Sequence, residues 1–224
     1  MLKKLFAKKT NFVGGDLIPE EIPLSGPELL STAKKFRAPR KIDHRDMLLT
    51  SSNQGQTPHC AGYSTAGLVE YYNWKTLHYP KQEDGDAIYL GAKEIDGFDG
   101  DGTTLSAAAK AAIAKGLIKG KTKYVAPTRR DIKFAVHEHD VVLAGFKITN
   151  EWNFVSKKGI IPIFKNGIIQ LGGHAVLICG YDKNGVYIQN SWGPDWGLHG
   201  FALIPWEMVD KQLMSALVII RKAA

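Results

Sequence analysis

The sequence predicts an α+β protein of two lobes, a helical N-terminal half and an antiparallel β half with a cleft between them. Apolar residues recur at helical spacing behind Cys60 and again from Leu105 and Arg129. From Val141 onward the pattern changes to short apolar runs parted by glycine and asparagine turns. The change happens once, so helices and strands are segregated rather than alternating. A chain of 224 residues is long enough to bury a sizeable core, and a hydrophobic fraction of 44% with 23% charged residues excludes a disordered or low-complexity chain. The net charge of +7 gathers largely at the ends, in Lys3, Lys4, Lys8, Lys9, Arg221 and Lys222. That distribution describes solvated ends, so neither nucleic acid nor a membrane surface is expected as a partner.

Residues 1–41 read as an N-terminal extension, a short prosegment or a docked cover. Gly14-Gly15 and prolines at 19, 23 and 27 make it irregular. One helix start is expected, where Ser25 and Glu28 have capping-box spacing and Leu29, Leu30, Ala33 and Phe36 share a face. Leu5-Phe-Ala is followed at once by Lys8, so no stretch is long enough for a signal peptide or a membrane span. The domain proper is expected over residues 42–224, helical to about 135 and β from about 136.

At Asn53–Ser64, Thr57 is expected to cap a long helix with Pro58 in its first turn. Cys60 would then lie within the positive end of the helix dipole, which favours the thiolate. Tyr63, Leu68, Tyr71, Tyr72 and Trp74 continue the helix as one packed on most of its circumference. Asp96–Gly102 lacks the alternating ligands and closing glutamate of a calcium loop, so no metal is expected there. It feeds instead a helix from Leu105 to Lys115, capped by Thr103 or Thr104 and stopped by Gly116, and Arg129–Glu138 forms another. Strands are expected at Val141–Ile148, Ile160–Phe164, Ala175–Tyr181, Val186–Gln189, Phe201–Ile204 and Ala216–Ile220.

A cysteine nucleophile needs a base, a group that orients the base, and donors for an oxyanion. Of the two cysteines, Cys179 stands in an apolar run and reads as inert, unpaired core. So few cysteines point to a reducing compartment. Among seven histidines most have polar, solvated settings. His174 differs: it follows Gly172-Gly173 and heads a buried strand.

Gln54-Gly55, Cys60 six residues after Gln54, Gly173-His174-Ala175-Val176, Asn190-Ser191-Trp192-Gly193 and Trp196-Gly197 occur in that order. Together they resemble the papain family of cysteine peptidases, over roughly Ile42 to Ile220, and the Ala-Gly-Tyr continuation after Cys60 is similar to its prokaryotic or viral branch. The resemblance implies a papain-like fold with a β-barrel-like C-terminal lobe, no cofactor, and a peptide or protein substrate. It implies that Cys60 is the nucleophile, His174 its imidazolium partner, and Asn190 the orienting residue under a shielding Trp192. Gln54 and the Cys60 backbone N–H would form the oxyanion hole. The family's peptide-binding glycine pair would correspond to Asp101-Gly102, with Gly173 and Trp192 also beside the substrate.

The chain departs from the family at Thr57, which stands where a disulfide cysteine is usual, and at Pro58-His59 before the nucleophile. The expected activity is an intracellular, cytoplasmic or virus-encoded cysteine endopeptidase. Alternatives are a catalytically silent binding or assembly module of the same fold, or a related acyltransferase or isopeptidase. One point of geometry stays open: a two-residue turn at Asn184-Gly185 would set Asn190 opposite Cys179, so a longer turn or a bulge is needed to bring it to His174.

Overall fold

The computed structural model describes residues 17–221 except 24, 27, 32, 34 and 80. The basic cluster at Lys3, Lys4, Lys8 and Lys9, Gly14-Gly15 and Lys222 therefore lie outside the described residues. The architecture is mixed helix and antiparallel sheet. Three helices come first: α1 (Cys60–Leu77), α2 (Gly85–Asp96) and α3 (Leu105–Ala114). After α4 (Arg129–His139), α5 (Trp206–Gln212) is inserted late among the strands. The strands are β1 (Ile42–Asp43), β2 (Lys121–Tyr124), β3 (Val142–Thr149), β4 (Gln170–Tyr181), β5 (Gly185–Gln189), β6 (Phe201–Pro205) and β7 (Leu213–Ile220).

The helix starts follow their caps. Asp84 accepts from Ala87 N at α2, Thr104 from Ala107 N at α3 and Thr128 from Asp131 N at α4, each satisfying an otherwise orphaned N–H. Helices α1 and α2 cross where Gly62 meets the Gly85 backbone; a Cβ on Gly85 would stand 2.7 Å from the Tyr63 ring. Glycine is used here for close approach.

The sheet runs β2-β7-β3-β4-β5-β6, with β1 added to β4, and all its ladders are antiparallel. Strand residues alternate between two cores. Leu143, Ala175, Leu177 and Leu217 face α1 and α3. Phe146, Val176, Ile178 and Val218 face α4, α5 and the tryptophans 152, 192 and 196.

Several expectations are corrected. The sheet is open, not barrel-like, because its two ends are covered by irregular chain instead of by each other. Leu29 bridges Tyr124 beside β2, and Ile160 bridges Leu203 beside β6. Those two bridges also displace the helix expected from Ser25 and the strand expected at Ile160–Phe164. Leu30 N donates to Tyr124 O (2.7 Å), so the free edge of β2 recruits extended chain where a short helix would be marginal. Helices α2 and α5 and the polar strand β2 are additions to the expected set.

Candidate active site

Cys60 is the first residue of α1 and is fully buried. The residue that caps the helix is His59, not Thr57, and its side chain makes no capping bond. Thr57 is committed elsewhere: its Oγ1 donates to Gln54 O (2.7 Å) and its own carbonyl accepts from Gln54 Nε2 (2.7 Å). Pro58 therefore precedes the cap. Cys60 sits at the helix N-terminus itself, where the dipole acts most strongly.

The same Gln54 amide reaches the other wall, its Oε1 accepting from Ser191 Oγ and its backbone N–H donating to Ser191 O at 2.9 Å. Ser51 Oγ donates to Asn190 O, Asn53 bridges Trp192, and Gly193 N donates to Ser52 O (3.0 Å). Residues 51–54 are thus laced to residues 190–193. An amide nitrogen carries two protons, and one of Gln54's goes to Thr57.

His174 lies on β4, fully buried, with Nε2 2.7 Å from Asn190 Oδ1. The backbone N–H of Ser191 donates to that same oxygen (2.8 Å), which identifies it as the carbonyl end of the amide. Nε2 is consequently the donor, and in the neutral ring Nδ1 is the acceptor. Among the described residues Nδ1 has no hydrogen-bond partner, nor does Asn190 Nδ2. The Trp192 ring covers the imidazole at a centroid distance of 4.8 Å, and Trp152 meets it edge-on at 6.2 Å. Burial pushes His174 down to about 4, with the Asn190 bond opposing weakly.

Both devices that the register demanded are present. The turn is longer, with Tyr181 paired to Val186 and Asp182 N donating to Gly185 O (3.0 Å), and β4 carries a bulge at Cys179 between the pairs Gly180 with Tyr187 and Ile178 with Ile188. Leu177 then pairs with Gln189, so Asn190 follows beside Val176, on the strand face that carries His174. The first turns of α1 close the site from the other side. Ser64 and Gly67 share a small cavity with Ala175, Asn190 and Ser191. Cys179 is buried, its Sγ donates to Tyr187 O (3.5 Å), and burial pushes its thiol up. Neither cysteine is in a disulfide.

The expected peptide-binding residues divide. The Asp101 carbonyl is taken by Tyr89 OH and the Gly102 carbonyl by Lys93 Nζ (2.9 Å), so neither oxygen pairs with neighbouring strand. Thr103, one residue further on, makes that pairing: it bridges Leu17 in parallel and accepts from Ile18 N (3.1 Å). Gly173 faces it across the cleft, accepting from Leu17 N (3.4 Å); a Cβ there would stand 2.6 Å from Leu17 O. Leu17 is buried, and a Cβ on Gly145 would stand 2.5 Å from its Cδ2 and 2.7 Å from Ser215 Oγ. Leu17 and Ile18 therefore lie in the cleft between the two walls. Trp192 is 3% exposed and presents its ring to His174. Thr103 and Leu17 were not foreseeable as partners, since backbone pairing leaves no residue-type signal.

The helices packed on an open antiparallel sheet make a fold that solved proteins share. Over the whole of both chains the structure superposes on xylellain, a cysteine protease from Xylella fastidiosa, with a TM-score of 0.79 at 19% identity. Procathepsin L 3 of the Tenebrio molitor larval midgut follows at 0.69 and 17% identity, over 92% of this chain and 75% of that one. The family model described as papain family cysteine protease matches residues 93–214, and the chain belongs to that family. The match includes His174 and Asn190 and begins beyond Cys60. A stretch of 71 residues is 38% identical to an uncharacterized peptidase C1-like protein, L477, of Acanthamoeba polyphaga mimivirus, in keeping with the viral-type branch; it spans 30% of this chain and 23% of that relative's length. Among the described residues no helix is long and apolar enough to cross a membrane.

Proposed function

We propose that the chain is a cysteine endopeptidase whose own N-terminal extension closes the cleft. Cys60 passes its thiol proton to His174 Nδ1, and Sγ attacks a peptide carbonyl carbon while the π pair moves onto oxygen, which the second Gln54 amide proton and the Cys60 backbone N–H receive. Collapse breaks the C–N bond, His174 gives its proton to the departing amine, and water then hydrolyses the thioester with His174 as base. Asn190 holds the imidazole in the tautomer that leaves Nδ1 for the thiol.

The observation that carries this reading is the His174 to Asn190 bond beneath Trp192, joined through Ser191 to the Gln54 amide six residues before Cys60. Complete burial of both Cys60 and His174 supports a closed, latent conformation, since no substrate reaches a fully buried thiol. Burial also disfavours the imidazolium, so uncovering the site would favour the ion pair. Two cysteines without a disulfide suit a reducing, intracellular setting.

Cys60→Ala should abolish both peptide hydrolysis and labelling by an epoxide or vinyl-sulfone probe, and retained hydrolysis would sink the peptidase reading. Leu17→Gly in the intact chain should raise the initial rate of labelling at least tenfold. N-terminal sequencing after incubation should show loss of the extension in wild type but not in Cys60→Ala. A wild type that keeps residues 1–41 and is fully active would disprove self-occlusion.

A further inference from the structure

His59 is where the chain leaves its relatives, and its side chain does not cap the helix it precedes. The ring instead turns onto α2, where Nδ1 lies 2.7 Å from Asp86 Oδ1 and the imidazole stacks on Tyr89 at a centroid distance of 3.7 Å and an angle of 21°. Asp86 is shared, for its Oδ2 accepts from Tyr63 OH (3.2 Å) one turn into α1. Tyr89 is shared as well. Its hydroxyl crosses to the far loop and donates to the carbonyl of Asp101, two residues before the Thr103 that pairs with Leu17. A single tyrosine thus touches the residue before Cys60 with its ring and the substrate wall with its oxygen. The Gly62–Gly85 crossing brings α2 close enough for both.

We propose that His59, Asp86 and Tyr89 form a noncovalent tie that fixes the nucleophile's loop against the peptide-binding wall. Neither cysteine is in a disulfide, so no covalent bond does this work. The tie makes His59 and Tyr89 positioning residues. They act through the Cys60 backbone N–H, which must face the oxyanion, and through the wall at 101–103, which must face the substrate strand. A displacement near 1 Å at such a site costs about 10²-fold in rate, so a loop free at one end is not a neutral change.

The catalytic part of the proposal rests on the peptidase reading; the mechanical part does not, and the experiment separates them. In the Cys60→Ala background, full-length chains carrying His59→Ala or Tyr89→Phe are exposed to chymotrypsin, and the cut after Phe98, half-exposed in the wall loop, is timed. Both variants should be cut about tenfold faster than the parent. Rates within twofold of the parent would overturn the tie whatever the activity, and Tyr89→Phe, which keeps the ring stack, decides the matter if His59→Ala fails to fold.

With Cys60 present and the N-terminal extension released, a peptide aldehyde, whose adduct carries the oxyanion, should bind His59→Ala about tenfold more weakly, while alkylation by iodoacetamide, which needs no oxyanion hole, keeps its wild-type rate. A parallel fall in both would mean damage to the nucleophile itself and would overturn the positioning role. Wild type that has lost its N-terminal extension and alkylates, but neither cleaves peptides nor binds the aldehyde, would defeat the peptidase reading and leave the chymotrypsin result to decide the tie.

Discussion

The two walls of the cleft are built by different means. His174 lies on β4 and Asn190 directly follows the adjacent β5, and their bond is roofed by Trp192 and flanked by Trp152 beside a packed core. Cys60 belongs to a helix end, and the loop before it is held by side-chain bonds: Gln54 to Ser191 and Thr57, and His59 to Asp86. His174 is positioned by backbone register and the loop before Cys60 by polar contacts. A register is all-or-none, whereas a set of hydrogen bonds can be loosened one at a time. Substitutions in the first wall should abolish function, and substitutions in the second should grade it.

The largest difference is expected from His174→Ala, with a loss of about 10⁴-fold in kcat/KM on a peptide substrate once the cleft is open. A loss no greater than that of Gln54→Ala would break the distinction. Gln54→Ala should lower kcat by about 10²-fold to 10³-fold while KM changes little, the mark of an interaction made in the transition state; a change confined to KM would remove Gln54 from the oxyanion hole.

The smallest effects are on stability, and there the walls have opposite signs. Burial raises Glu70, on α1, to about 7, so the folded state prefers its neutral form. Its contribution to stability is intact below about 4.5 and is lost as pH rises through about 7. His174 is depressed to about 4, so it too is favoured neutral, but its contribution is present above about 6.5 and lost as pH falls through about 4. Glu70→Gln should therefore remove an alkaline decline on the order of 2 kcal/mol between pH 5 and 8 in denaturant titrations, without altering the acid side. An unchanged alkaline limb would exclude Glu70 as its source.

Much of this was legible in the sequence where a residue type carries a meaning of its own. Thr104 and Thr128 announce their helices, and the runs at 141–148 and 216–220 announce buried strands. Gln54, Cys60, His174 and Asn190 stand out through type and order, and the structure bonds His174 to Asn190 and Gln54 to the neighbouring Ser191. What stayed hidden depends on contact. Helix α2 contains Gly85 and Gly91, poor helix residues that are present for close approach to Tyr63 and to Lys115. Ile160–Phe164 is apolar enough for a strand, yet Ile160 and Ile163 are exposed, and beyond the bridge to Leu203 its backbone bonds go to Ser156 and to the Glu151 carboxylate. The pairing of Thr103 with Leu17 is made by peptide groups that every residue possesses. Tyr89 had no motif to mark it, although its partner His59 stood out beside the cysteine.

The bulge at Cys179 gives one buried side chain a guardianship over folding. Were β4 and β5 to zip from the same turn without leaving Cys179 out, Ile188 would face Cys179 and Gln189 would pair with Ile178, among the tryptophans. Gln189 would then carry its amide into an apolar core and lose the bond from its Nε2 to Leu49 O (2.9 Å). Asn190 would turn away from His174 in the same slip. The misregistered hairpin, which would keep most of its strand content, is thus penalised by a glutamine one residue away from the asparagine it protects. Proofreading of the His174 to Asn190 bond is written into the strand next to it.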